Sequence, residues 1–139
     1  MLRFEINFVQ LLAVAMVNFI FSWIWFSPVL FGKPFMKALG IAPGHRMTEA
    51  EKKRMPLLMA NGLFCSFLLS GALQVLCHSV GAADFGQGAL TGLVAWLGFA
   101  LTGSLGTLWE GRSMTLILIS NGLYLVTYSI FGGVIAVWH

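Results

Sequence analysis

A chain of 139 residues that is 58% hydrophobic and only 9% charged, with a mean hydropathy of +0.87, lacks the polar surface that a water-soluble domain of this size needs. Its net charge of +3 does not point to nucleic acid, because six of its eight Lys and Arg residues crowd between Lys33 and Arg54. Composition therefore excludes a soluble globular fold and leaves an all-α membrane protein in a single transmembrane domain, 1–139, with lipid around most of it.

The first predicted element is a span over roughly residues 6–32. No Lys, Arg, Asp or Glu occurs from Ile6 to Gly32, long enough to cross a hydrocarbon core of about 30 Å at about 1.5 Å per residue. Arg3 before an apolar run, with Ala13-Val14-Ala15 after it, resembles a signal peptide and its cleavage site. The run continues well beyond that point, so the segment is expected to remain as span one. Asn7, Asn18, Ser22 and Trp25 share one of its faces, and Pro28 is expected to bend its end.

Residues 33–54 follow as a basic loop. Lys33 and Lys37 with Pro34, Phe35, Met36 and Leu39 predict a short helix lying at the membrane interface and stopped at Gly40. Thr48-Glu49-Ala50-Glu51 has the spacing of a capping box, in which Thr48 accepts from a backbone N–H and Glu51 reaches back. Pro56 then either kinks the new helix or opens span two. Lys52, Lys53 and Arg54 read as a topology anchor or as a binding site for anionic lipid.

Three more spans are predicted over roughly residues 55–80, 86–109 and 114–138, each free of Lys, Arg, Asp and Glu. Helix is the form expected of each, because a lone span has to satisfy its own backbone hydrogen bonds. Alternation of polar and apolar residues, the mark of a β-barrel, does not occur. Span two carries Asn61, Ser66, Ser70, Gln74 and His78 as polar positions, and its two cysteines, Cys65 and Cys77, have neither CxxC nor metal-type spacing. Span three places Gly88, Gly92, Ala95, Gly98, Thr102 and Gly106 on one face of a 3.6-residue period, where another helix can approach closely. Span four has a strip of Gly122, Ser129, Gly133 and Ala136 beside a polar face of Asn121, Tyr124 and Tyr128. Two faces imply two neighbours.

Loop one holds six cations, the second loop only Asp84, and the third Arg112, so loops one and three are expected in the cytoplasm with both termini outside. The predicted place is a bacterial inner membrane, crossed several times. The segment Ala60-Asn61-Gly62-Leu63-Phe64 recurs as Ser120-Asn121-Gly122-Leu123-Tyr124, and Leu30-Phe31-Gly32-Lys33 as Trp109-Glu110-Gly111-Arg112. That pattern predicts two hairpins related as parallel repeats about an axis along the membrane normal.

Chemistry is sparse. Asn18, Ser22, Asn61, Asn121, Tyr124 and Tyr128 either pair between helices or line a polar cavity, since amides in lipid need partners. Glu110, at a helix C-terminus where its charge opposes the macrodipole, is expected either to form an ion pair with Arg112 or a loop-one lysine, or to handle a proton or cation. His78 and His139 are not read as ligands, and no cofactor or metal is expected. A proton-coupled small multidrug exporter would need a carboxylate in span one, which offers only amide, hydroxyl and indole groups. Gly103-Ser104-Leu105-Gly106 is not GxSxG, so an intramembrane hydrolase is not indicated either.

One resemblance covers nearly the whole chain. At Trp25-Phe26-Ser27-Pro28-Val29-Leu30-Phe31-Gly32-Lys33, Phe35-Met36, Glu110-Gly111-Arg112 and Gly132 to Trp138, the sequence resembles the domain-of-unknown-function family numbered 1761. The resemblance implies a small bacterial membrane protein and supplies no activity. It departs at Ser120, where the pattern has asparagine, and at Leu123, where it has an aromatic residue. Two functional expectations stand: an oligomeric transporter or channel-like protein for a small solute, with a continuous wet cavity touching Asn18, Asn61, Asn121 and Tyr124, or a non-catalytic accessory subunit in which those groups are paired and dry. Expected partners are membrane lipid and either further copies of the chain or another membrane protein; the sequence names no small-molecule substrate.

Overall fold

Asn7 opens the first helix, α1 (Phe8–Trp25), by accepting from the Gln10 backbone N–H at 3.1 Å. The computed structural model describes residues 1–42 and 44–138, and within them every regular element is helical. His139, set aside as a ligand from the sequence, lies outside the described residues. α1 ends earlier than the charge-free run suggests. After Trp25 the chain reverses through a β-turn over Ser27–Leu30, with Pro28 at its second position, and Gly32 N–H returns to the Ser27 carbonyl at 2.9 Å. Pro28 thus shapes a turn after the helix instead of bending it. Gly32 is fixed by space: a Cβ there would sit 2.5 Å from the Phe26 carbonyl oxygen. Trp25 and Phe31 stack across the reversal with centroids 4.6 Å apart, so the Trp-Phe-Ser-Pro-x-x-Phe-Gly run encodes one tight corner.

The short helix α2 (Gly32–Ala38) follows, with Gly40 beyond it in the left-handed conformation at φ 80. α3 (Glu49–Val80) starts with the capping box: Thr48 Oγ1 accepts from Glu51 N–H at 3.2 Å, and Glu51 Oε2 accepts from Thr48 N–H at 3.0 Å. Pro56 lies inside this helix, about two turns from its start, so it does not take the first helical position. Gly81 at φ 69 closes α3, with Ala82 N–H bonded to the Cys77 carbonyl. Asp84 then caps α4 (Phe85–Glu110) by accepting from Gln87 N–H at 2.9 Å. Within α4, residues Trp96–Leu101 form a π-helical stretch and Thr107–Glu110 a 3-10 turn. α5 (Met114–Val137) completes the chain. Helices α1, α3, α4 and α5 are each long and apolar enough to cross a membrane, which makes this a membrane protein.

α5 is the centre of the bundle. Its closest neighbour is α4: a Cβ added at Gly88 would collide with the Gly132 backbone, and one at Gly92 with the Tyr128 carbonyl. Two helices therefore meet backbone to backbone, as small residues permit. α1 and α3 pack together and against α5, around Val14, Leu73, Cys77, Phe131, Ile135 and Ala136. This core fills the half of the bundle nearest the chain termini.

The expected small-residue face of α4 is split. Gly88, Gly92 and Ala95 are buried against α5, whereas Thr102 is exposed and a Cβ at Gly98 or Gly106 meets nothing within 4 Å. The π stretch contains Gly98, and the residue it inserts turns Thr102 and Gly106 by about 100° relative to a regular 3.6-residue helix. On α5, Gly133 packs under the Phe85 ring and Gly122 lies 3.1 Å, as a Cβ distance, from the Trp25 ring.

Candidate functional site

Two polar layers divide the bundle across its long axis. Near the termini, Gln74 Oε1 accepts from Asn7 N–H at 2.8 Å, its Nε2 donates to the Asn7 carbonyl, and Gln10 Nε2 donates to the Trp138 carbonyl at 2.9 Å. Both glutamines are essentially fully buried, so these amides tie α1 to α3 and to α5, with the Gln10 Oε1 left without a partner. Midway along, Asn18 Nδ2 donates to Ser66 Oγ at 2.7 Å, bridging α1 and α3, while Ser22 Oγ donates back to the Asn18 carbonyl.

Between that midway layer and loop one the core is replaced by a groove of about 810 Å³, walled by α1, α3 and α5. Asn18, Ser66, Leu69 and Tyr128 line its inner end. Met55, Leu58 and Met59 line its loop-one end, with Asn61, Gly62 and Cys65 along α3 and Tyr124 and Tyr128 one turn apart on α5. Every lining residue is uncharged. Trp23 on α1 and Leu58 on α3, 64% and 52% exposed, are among its most exposed lining residues. Its size is that of a ligand pocket.

The three asparagines thus take three different positions. Asn18 pairs between helices. Asn61 is exposed in the groove, and its side chain makes no hydrogen bond among the described residues. Asn121 is 3% exposed, its side chain donates only to the Ile117 carbonyl of its own helix at 2.9 Å and its Oδ1 is left without a partner, so that side chain neither lines the groove nor bridges helices. The two similar segments around Asn61 and Asn121 therefore set their asparagines in unlike surroundings. Leu123 lines the groove at 2% exposure.

Charged candidates do not converge on this site. Glu110 and Arg112 are both exposed and form no ion pair; among the described residues the pairs are Arg3 with Glu5 at 3.0 Å and His45 with Glu51 at 3.2 Å. Glu51, held by the Thr48 backbone N–H and then by His45, has its carboxyl pKa lowered. Lys52, Lys53 and Arg54 are exposed on the opening turns of α3. Among the described residues, no three His, Cys, Asp or Glu side chains stand close enough to hold a metal ion.

Sequence reasoning passed over Gln10 and Trp96. Gln10 carries a readable signal, an amide inside a span that demands a partner. Trp96 Nε1 donates to the Asn121 carbonyl at 3.0 Å, and Trp25 Nε1 to the Ile119 carbonyl at 3.0 Å, so two indoles clamp α5 from opposite sides of the bundle. Comparison with known proteins adds one finding: the family model described as Protein of unknown function (DUF1761) matches residues 9–136. No curated protein matches, and no solved structure matches.

Proposed function

The chain belongs to the DUF1761 family, whose description carries no activity, and from its own geometry we propose that it is a non-catalytic membrane protein that holds a membrane-dissolved ligand in the groove between α1, α3 and α5. One observation carries this reading. The groove occupies the half of the bundle near loop one, and beyond its inner end at Leu69 and Tyr128 the Gln10 and Gln74 hydrogen bonds and the packed core take up the space that a conducting path would need. The groove touches Asn18, Asn61 and Tyr124, three of the four residues expected along a through-going cavity, and Asn121 is turned away from it. A closed end suits holding better than passage.

In this reading loop 33–54 faces the cytoplasm of a bacterial inner membrane with both termini outside, supported by the six cations of that loop. α2 lies at the interface beneath α5, and the two hairpins descend from one duplicated unit. Oligomerisation is a second reading, favoured by the outward half of α4, where Gly98, Gly103 and Gly106 meet nothing and Phe99 is 75% exposed. Native mass spectrometry from mild detergent tests the primary reading. A retained lipid-sized adduct that disappears in Gly62→Phe is expected; solute flux above that of empty vesicles, together with no adduct, would overturn it. Detergent-corrected mass tests the second, a strict monomer counting against it.

A further inference from the structure

We infer that the groove seats an anionic phospholipid, its acyl chains along the lining and its headgroup among Lys52, Arg54 and Arg112 at the loop-one end; this names a ligand class for the binding reading above and rests on it. No charged side chain lines the groove, and the cations stand at its edge in an order that the helix period fixes. Lys52 lies seven residues before Met59 and Arg54 seven before Asn61, close to two full turns in each case. The two cations therefore continue the two edges of the α3 lining toward loop one. Lys53, about 100° beyond Lys52, falls on the opposite side of the helix. Across the groove, the charge of Arg112, just before α5, reaches the Tyr124 hydroxyl on the wall. Positive charge thus borders the same end of the groove from α3 and from α5.

These cations are free to take an anion. All three are exposed, and none forms a salt bridge among the described residues. Glu51 is the acid nearest Lys52 and Arg54 along α3, and its carboxylate is held by the Thr48 N–H and by His45. Glu110 is exposed and leaves Arg112 unpaired. Taken together, residues 33–54 and 110–112 bring seven cations and three acids to this end of the bundle, an excess that attracts a negative headgroup. The depth fits as well. From Met55 to Leu69 the lining of α3 rises about 21 Å at about 1.5 Å per residue, against about 20–22 Å for half a bilayer with its headgroups. Uncharged, mostly apolar walls of one leaflet's depth, bordered by cations, complement a molecule with long acyl chains and a negative head.

The test uses the full chain in phosphatidylcholine nanodiscs, with phosphatidylglycerol and phosphatidylcholine probes that carry the same photoreactive acyl chain. Adducts are mapped by mass spectrometry. Labelling of the Met55–Leu69 stretch by phosphatidylglycerol should exceed that by phosphatidylcholine about tenfold. Lys52→Gln and Arg112→Gln, both at exposed positions, should each lower phosphatidylglycerol labelling about fivefold. Lys53→Gln removes the same charge from the far side of α3 and should leave labelling unchanged, so the inference does not depend on a groove-filling variant folding. Gly62→Phe should abolish labelling by either probe. Equal labelling by the two probes, or equal losses in Lys52→Gln and Lys53→Gln, would overturn the anionic-lipid assignment while leaving the binding reading intact. Labelling suppressed by inorganic phosphate, but not by sodium chloride at the same ionic strength, would give the cations to a free anion and overturn the headgroup assignment. Labelling that ignores Gly62→Phe, or none in the stretch, would overturn both.

Discussion

Gly92 and Gly98 lie less than two turns apart on α4, and the same substitution at each is expected to act in opposite directions. A methyl at Gly92 runs into the Tyr128 carbonyl, a backbone atom that moves only if the two helices separate. Gly92→Ala should therefore destabilise the protein by about 1–3 kcal/mol, the usual range for overpacking. At Gly98 the added methyl meets nothing, so Gly98→Ala should be neutral or stabilise by up to about 1 kcal/mol through helix propensity. Denaturation in mixed detergent, followed by circular dichroism, checks both. Ser66→Ala removes the acceptor of the Asn18 amide, and bonds of this kind in membranes average about 0.6 kcal/mol, up to about 1.7. A loss within that range is expected by the same measurement; a gain would mean that the bridge does not hold α1 to α3.

The helices themselves were largely legible in the sequence, because long charge-free runs and a capping box report on local chemistry. α3 begins at the Thr48 cap, and the basic loop stands where Lys33 to Arg54 cluster. Two features were not legible, for the same physical reason: each depends on what the chain meets. α1 stops at Trp25 although apolar residues continue to Phe31, since the stop is made by a reversal that charge does not mark. The π stretch at Trp96–Leu101 has no composition of its own, and beyond it Thr102 is exposed and Gly106 meets nothing, unlike Gly88 and Gly92. Of the groove, the sequence gives its asparagines and tyrosines but cannot tell Asn61, which lines it, from Asn121, which does not. At the start of α3 the Glu51 carboxylate accepts the Thr48 N–H, and its lowered pKa makes the sign definite. The stabilisation is fully present above the ordinary glutamate value of about 4.3 and is lost as pH falls through the lowered folded value. Amide protection at the first turn of α3, corrected for intrinsic exchange, should fall on acidification, and Glu51→Gln should flatten that fall.

Taken as a whole, the molecule is packed at one end and hollow at the other. The core and both buried glutamines occupy the half near the termini, while the half near loop one holds the groove and leaves α3 exposed from Glu49 to Leu58. Hydrogen exchange should follow that gradient, with the turns around Leu73 and Ile135 slowest and the first three turns of α3 fastest; uniform protection along α3 would contradict it. The corner at Ser27–Gly32 adds a consequence of its own. α1 has 18 residues, about 27 Å of helix, beside α5 with 24 residues, about 36 Å. A bilayer matched to the longer neighbour would submerge the reversal, so the surrounding lipid has to thin near α1 or the bundle has to lean. Thermal unfolding should accordingly occur at higher temperature in vesicles of short-chain phosphatidylcholine than in long-chain vesicles, giving this small protein a built-in preference for thin membranes.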